Sequence, residues 1–255
     1  MVNIMATYPE MRDRAVAITG AAAGIGEVAA RSFYQQGAHV YLLDLDKTGI
    51  EKIAAELGDR AYPIQVDITD PQSVSEAFQA IDLSAHGLDI FINCAGGYKK
   101  LLTVEKMDLE EWDNTISLNL RAVFLCCQAA IPRLKKSKAG RIINVTSISG
   151  RTVHATSSPA YGSAKAAVTQ LTRFLAYELG PFGITANTIA PLTTLTPRVA
   201  ALRTPEDIAR IASQVPLGRI ATTDDHVAAM LYLASDGAAF VTGVALDTNG
   251  GRVML

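Results

Sequence analysis

Tyr161 and Lys165, in the stretch AYGSAKAAV (160–168), stand four residues apart among small side chains that favour a helix. Residues at i and i+4 share a helix face, so local geometry alone can direct the phenol and the ammonium together. The pairing suits proton exchange with an alcohol. Oxidising an alcohol removes a hydroxyl proton while hydride leaves, and reduction runs the reverse, so some group must exchange that proton near neutral pH. A free phenol titrates near pH ~10, and an ammonium about 4 Å away in an effective dielectric near 20 favours the phenolate by on the order of 4 kcal/mol. An isolated pair of this kind is more often a surface tyrosine lying over a lysine stem, so the rest of the chain must say what the pair faces.

Hydride needs an acceptor, and TGAAAGIG (19–26) offers a place for one. Gly20, Gly24 and Gly26 allow a tight turn, close approach of the backbone to a pyrophosphate, and close packing of the following helix, whose first turn includes Ile25. The free N–H groups of that helix favour phosphate. Asp44 closes the second apolar run, where a carboxylate can accept hydrogen bonds from the adenosine ribose hydroxyls; Asp46 competes with it for the duty of helix cap. A 2′-phosphate beside Asp44 would meet a like charge, and Ala21, Ala22 and Ala23 supply no cation, so the expected cofactor is NAD and not NADP.

These residues need a scaffold. Apolar, β-branched runs at 15–19, 39–44, 61–66, 89–93, 141–145, 184–189 and 244–248 alternate with segments long enough for crossover helices. The pattern predicts a Rossmann-like, doubly wound α/β fold, a parallel sheet with helices on both faces. No linker or charge block divides residues 1–255, which read as one dinucleotide-binding and catalytic domain. The Pro-rich segment about 192–216 reads as an excursion beyond the strand ends, where ligands bind in such sheets. Within it, Leu195 to Ala212 is the candidate lid, with Pro197 and Pro205 restricting its ends.

A net charge of -2 over 255 residues provides no basic field for nucleic acid, so a small-molecule partner is expected. Cys94, Cys126 and Cys127 form no CxxC pair and read as buried small hydrophobes in a reducing cytoplasm. The four histidines have no ligand spacing, so no metal is expected. The start MVNIMATYPEMRDR shows no basic segment leading into an apolar one, and neither a signal peptide nor a membrane span is expected.

Together with the glycine loop, the motifs NCAG (93–96), SLNL (117–120), INVTSISG (143–150), YGSAK (161–165), ANTIAP (186–191) and TNGG (248–251) resemble the short-chain dehydrogenase/reductase family from about Arg14 to Gly251. The resemblance implies about seven strands and a homotetramer assembled through long helices. It implies that Asp67, next to Ile68, holds the adenine ring, that Asn93, Ala95 and Gly96 lie beside the cofactor, and that Pro191, Thr194 and Thr196 flank the nicotinamide. Asp67 read alone serves equally as a helix cap ahead of DPQSV.

Asn119 matches the family's helix asparagine, which holds a water in a proton relay to the lysine; the alternative is an asparagine bonding its own helix backbone. Ser147 and Ser149 lie 14 and 12 residues before Tyr161, on either side of the family's usual spacing. Distance to Gly150 favours Ser147 as the hydroxyl that holds the substrate oxygen, with Ser149 as the alternative or a substrate contact. The implied tetrad is therefore Asn119, Ser147, Tyr161 and Lys165.

Tyr98, Lys99, Lys100, Arg151 and His154 sit in loops after strands and could touch a polar substrate, although solvated loop charges account for most such residues. Leu192 replaces a glycine that often follows Pro191 in the family, altering the pocket wall. The leading reading is an NAD-dependent oxidoreductase interconverting a secondary alcohol and a ketone, with Tyr161 as general acid/base. The alternatives are a 3-oxoacyl thioester reductase and, from a different class, an NAD(H)-sensing regulatory protein that keeps the fold without the chemistry.

Overall fold

The apolar runs become strands where β-branched side chains can be buried on both faces of a sheet. In a computed structural model describing residues 6–153, 157–196, 199 and 204–254, they are β1 (Ala15–Thr19), β2 (His39–Asp44), β3 (Ala61–Gln65), β4 (Ile90–Asn93), β5 (Arg141–Val145), β6 (Thr185–Pro191) and β7 (Ala245–Thr248). All pair in parallel in the order β3-β2-β1-β4-β5-β6-β7. The order reverses between β1 and β4, opening the crevice at which doubly wound sheets take ligands.

The helices are α1 (Gly24–Gln35), α2 (Lys47–Leu57), α3 (Pro71–Asp82), α4 (Leu109–Ile116), α5 (Ala122–Leu134), α6 (Pro159–Leu179), α7 (Pro205–Ala212) and α8 (Thr223–Ala234). Period-two alternation divides the core. Ala15 and Ala17 face the α3, α5 and α6 side with Phe78, Phe91 and Leu175, while Val16 and Ile18 face the α1, α2 and α8 side with Phe33, Ile50 and Met230.

β6 runs two residues beyond the expected end. Past Ile189, the last position paired with β5, it pairs with β7 alone, Ala190 opposite Asp247 and Pro191 opposite Thr248. A proline is tolerated there because one side of the ladder has already ended.

α4 and α5 are joined by a π-helical turn, Ser117–Arg121. The continuous helix Leu109–Leu134 is long and apolar enough to cross a membrane by length and composition. Ala122, Val123, Cys126, Cys127, Ala130 and Leu134 nevertheless pack into the α3–α6 side of the core, as a helix in a doubly wound fold should.

Candidate active site

A cavity of about 970 Å³ opens at the carboxyl ends of β1, β2, β4, β5 and β6. Most of the residues expected to act line it: Gly20, Gly24, Ile25, Gly26, Asp44, Asp67, Ile68, Ala95, Gly96, Ser147, Ser149, Tyr161, Lys165, Pro191, Leu192, Thr194 and Thr196.

α1 begins at Gly24 and receives no side-chain cap from Ala23, whereas Asp46, Asp70 and Asp108 cap α2, α3 and α4. Its first amides therefore remain available to an anion in the cavity. A Cβ on Gly26 would lie 2.0 Å from the Gly20 oxygen, so the loop closes only on glycine there. This cradle fits a dinucleotide pyrophosphate.

Asp46 takes the cap of α2, accepting from the Gly49 amide, and Asp44 is free of that duty. The Asp44 carboxylate is oriented on the cavity wall by the amides of Ala22 and Asp46, each 3.0 Å away. Asp70 likewise caps α3. Asp67 Oδ1 instead accepts from the amide and hydroxyl of Thr69, building a turn beside the cavity.

α6 starts at Pro159, with Tyr161 and Lys165 on its cavity face. The Ser147 side chain hydrogen-bonds the Tyr161 phenol, and Ser147 Oγ also accepts the Ser149 amide at 3.1 Å. Ser149 lines the cavity, and its carbonyl packs on Gly162. The small residues of α6 thus admit the β5–α6 loop.

Lys165 Nζ lies 5.5 Å from the Tyr161 ring centre and donates to the Val145 carbonyl at 2.9 Å. Burial lowers its value to about 8. Burial also raises the Tyr161 phenol to about 12, against the opposing hydrogen bond from Ser147. The ammonium lies farther away than the about 4 Å assumed from the sequence, and its pull on the phenol is correspondingly weaker. At 5.5 Å and an effective dielectric near 20, the ammonium supplies about 3 kcal/mol, while bringing a phenol from 12 to neutral pH needs about 7 kcal/mol.

Asn119 sits in the π-helical turn, fully buried. Its Nδ2 donates to Gly97 O at 2.7 Å and to Thr115 O at 2.9 Å, and its Oδ1 accepts the Gly97 amide at 2.9 Å. It bonds its own helix and also clamps the β4–α4 loop. A Cβ on Gly96 would lie 2.6 Å from Asn119 Oδ1 and 3.1 Å from Lys165 Nζ, so this approach requires glycine. π turns of this kind recur at functional sites.

Several expectations are corrected. Asn93 does not line the cavity: strand alternation turns its side chain into the core, where Nδ2 donates to Asn144 Oδ1 at 2.8 Å and contacts Cys127. Cys94, expected to be buried with Cys126 and Cys127, is half-buried and lines the cavity. Arg151 is not a free loop charge but pairs with Asp247 at 3.0 Å. Thr194, by contrast, keeps its place on the cavity wall, and its hydroxyl donates to Leu192 O and bonds His226 Nε2 at 2.8 Å. Lys100 approaches Glu111 at 3.9 Å, and Lys99 is exposed. His154 and Pro197 lie outside the described residues.

The sequence reading missed Thr19, whose hydroxyl accepts the amides of Cys94 and Ala95 and ties the glycine loop to the NCAG loop. It also missed Leu45, Leu118 and Ile148 on the cavity wall. Thr19 opens the quoted glycine motif; the three apolar residues carry no local signal.

A glycine-lined crevice at the switch point of a parallel sheet, with a phenol and an ammonium on its wall, is the layout of a nucleotide-linked oxidoreductase. A family model described as enoyl-(acyl carrier protein) reductase matches residues 20–252. The chain is 34% identical to the probable galactose dehydrogenase GalD of Rhizobium meliloti (strain 1021), over 96% of each protein. It is 35% identical to D-threitol dehydrogenase of Mycolicibacterium smegmatis, over 92% of this chain and 90% of that one. The crystal structure of a 3-oxoacyl-[acyl-carrier protein] reductase with bound NAD from Brucella melitensis superposes with a TM-score of 0.90 at 30% identity, covering 100% of this chain and 98% of that one. The chain belongs to the short-chain dehydrogenase/reductase family. It is an oxidoreductase of CH–OH groups that interconverts secondary alcohols and ketones with a nicotinamide cofactor.

Proposed function

We propose that this oxidoreductase uses NAD and acts on a small or medium secondary alcohol, with Tyr161 as its general acid/base. The observation that carries this reading is the convergence of Ser147, Tyr161 and Lys165 on the cavity that also holds the glycine loop and Asp44. A nicotinamide cofactor held by the glycine loop and Asp44 would supply the hydride acceptor or donor. In oxidation, Tyr161 Oη takes the hydroxyl proton of the substrate while the Ser147 hydroxyl holds the substrate oxygen. Lys165 favours the phenolate but supplies less than half of what burial and neutral pH demand; an oxidised cofactor bound beside it would add positive charge in the same direction. Asn119 positions Gly96 and Gly97 beside Lys165 and anchors the proposed water relay.

Asp44 supports NAD over NADP: its carboxylate is fixed on the cavity wall by two backbone amides, and Lys165 is the one cation among the described lining residues. The segment 192–216 is proposed as the lid; its α7 has no buried residue among those described. Exposed Phe124 on α5, with Phe174 and Tyr177 on α6, supports a homotetramer, and three free thiols suit the cytoplasm. Reduction of a 3-oxoacyl thioester is the second reading, supported by the likeness to the Brucella reductase.

The test is a screen of NAD reduction over sugars, polyols, cyclic alcohols and hydroxy acids, with acetoacetyl thioester and NADH in the reverse direction. Turnover should fall by about 10²–10⁴ in Tyr161→Phe. Unchanged turnover in that variant refutes the role of Tyr161, and equal use of NADPH refutes the cofactor assignment.

A further inference from the structure

Leu192 follows β6 directly and is 5% exposed. Its side chain packs with Ile148, Val215 and Val253. It also lines two cavities: the catalytic cleft and a second cavity of about 520 Å³ bounded by Val215, Pro216, Leu217, Thr248, Gly250 and Met254. Among the described lining residues, Leu192 alone is common to both.

We propose that Leu192 is the partition that ends the substrate site, setting the longest aliphatic group the enzyme accepts on the carbinol carbon. The inference rests on the reading that the reacting alcohol lies at Tyr161 and Ser147. The backbone of the partition is anchored independently of its side chain. Thr194 Oγ1 bonds Leu192 O at 3.0 Å and His226 Nε2 at 2.8 Å, and His226 Nδ1 bonds Thr248 Oγ1 at 2.9 Å. Truncating the leucine therefore removes the wall and leaves its frame.

The chemistry beyond the wall suits hydrocarbon. Arg219 pairs with Asp225 at 2.6 Å, and Asp247 Oδ2 pairs with Arg151 at 3.0 Å, which leaves the buried Asp247 Oδ1 as the charged atom without a hydrogen-bond partner among the described lining residues. Valine, proline, leucine and methionine side chains are left to receive an alkyl tail.

The experiment compares the native enzyme with Leu192→Ala and Leu192→Gly on a ladder of 2-alkanols of increasing length, measuring kcat/KM with NAD and the affinity for NADH. The native enzyme should lose efficiency beyond a given length. Both variants should move that limit outward, gaining about tenfold on the longer alcohols relative to 2-propanol, since each buried methylene is worth about fourfold. NADH affinity should stay within about threefold, showing that the cofactor cleft is intact. Leu217→Trp, placed on either variant, should fill the second cavity from its exposed side and reverse the gain.

An unchanged length profile in both variants overturns the proposal. So does a gain that Leu217→Trp leaves in place. A readout without turnover keeps the two ideas apart: 2-undecanone binding to the NAD complex, which cannot react because both partners are oxidised, should tighten about tenfold in the variants by calorimetry. A native enzyme that turns over no alcohol refutes the reading of the site, while equal 2-undecanone binding by native and variant proteins refutes the partition.

Discussion

Lys165 reaches from α6 to the end of β5, where its Nζ donates to the carbonyl oxygen of Val145 at 2.9 Å. The ammonium is thus held by a strand end and not by the Tyr161 phenol. Burial lowers its value from 10.5 to about 8, so the unfolded chain binds more protons between those limits. The penalty is fully present below pH 8 and fades as the pH rises through 10.5. Lys165→Met should lower kcat/KM by about 10²-fold or more. Its stability relative to the native protein should decline by about 2 kcal/mol between pH 7.5 and 9.5, because the native protein gains over that range. Urea unfolding at the two pH values measures the difference.

Ser147 and Ser149 both line the cavity, yet it is Ser147 whose side chain bonds the Tyr161 phenol. Ser147→Ala should reduce kcat by about 10²–10³, as loss of one oxyanion donor does elsewhere. Ser149→Ala should stay within about tenfold of native. Steady-state kinetics of both variants decide the assignment, and the opposite ranking would transfer the role to Ser149.

Asp44→Ser should shift the NAD/NADP ratio of kcat/KM toward NADP by about tenfold or more, by removing a charge that repels a 2′-phosphate. Parallel kinetics with both cofactors measure the ratio. An unchanged preference would place discrimination elsewhere.

His226 is buried between Thr194 and Thr248, and burial lowers its value to about 4, against the pull of Asp225. The unfolded imidazole, near 6.5, takes up its proton first as the pH falls. Stability from this group is therefore complete above about pH 6.5 and is lost as the pH falls toward 4. The native protein should lose about 2 kcal/mol from this source between pH 7.5 and 5. His226→Gln should show a correspondingly smaller loss in urea unfolding over the same range.

Periodicity and spacing carried much of the architecture. Seven apolar runs became seven strands, and the glycine loop, Asp44 and the tyrosine-lysine pair came to one crevice because each lies at or next to a strand's carboxyl end. Asn93 shows where this reading ends. Its motif placed it at the site, but the phase of strand alternation sends its side chain into the core toward Asn144. The ion pair of Arg151 and the hydroxyl bond of Thr194 were hidden for a related reason: their partners, Asp247 and His226, lie 96 and 32 residues away and leave no local mark.

The kinds of reacting group, their order and their partners within one helix turn are local properties, legible from residue type and a period of about 2 or 3.6. The proton affinities of Tyr161 and Lys165 are not. They depend on how much water the surrounding strands and loops exclude, and burial moves both groups away from their charged forms. The wall at Leu192 is likewise a property of the assembled fold, since it exists only where β6, the β5–α6 loop and the chain near Val215 meet.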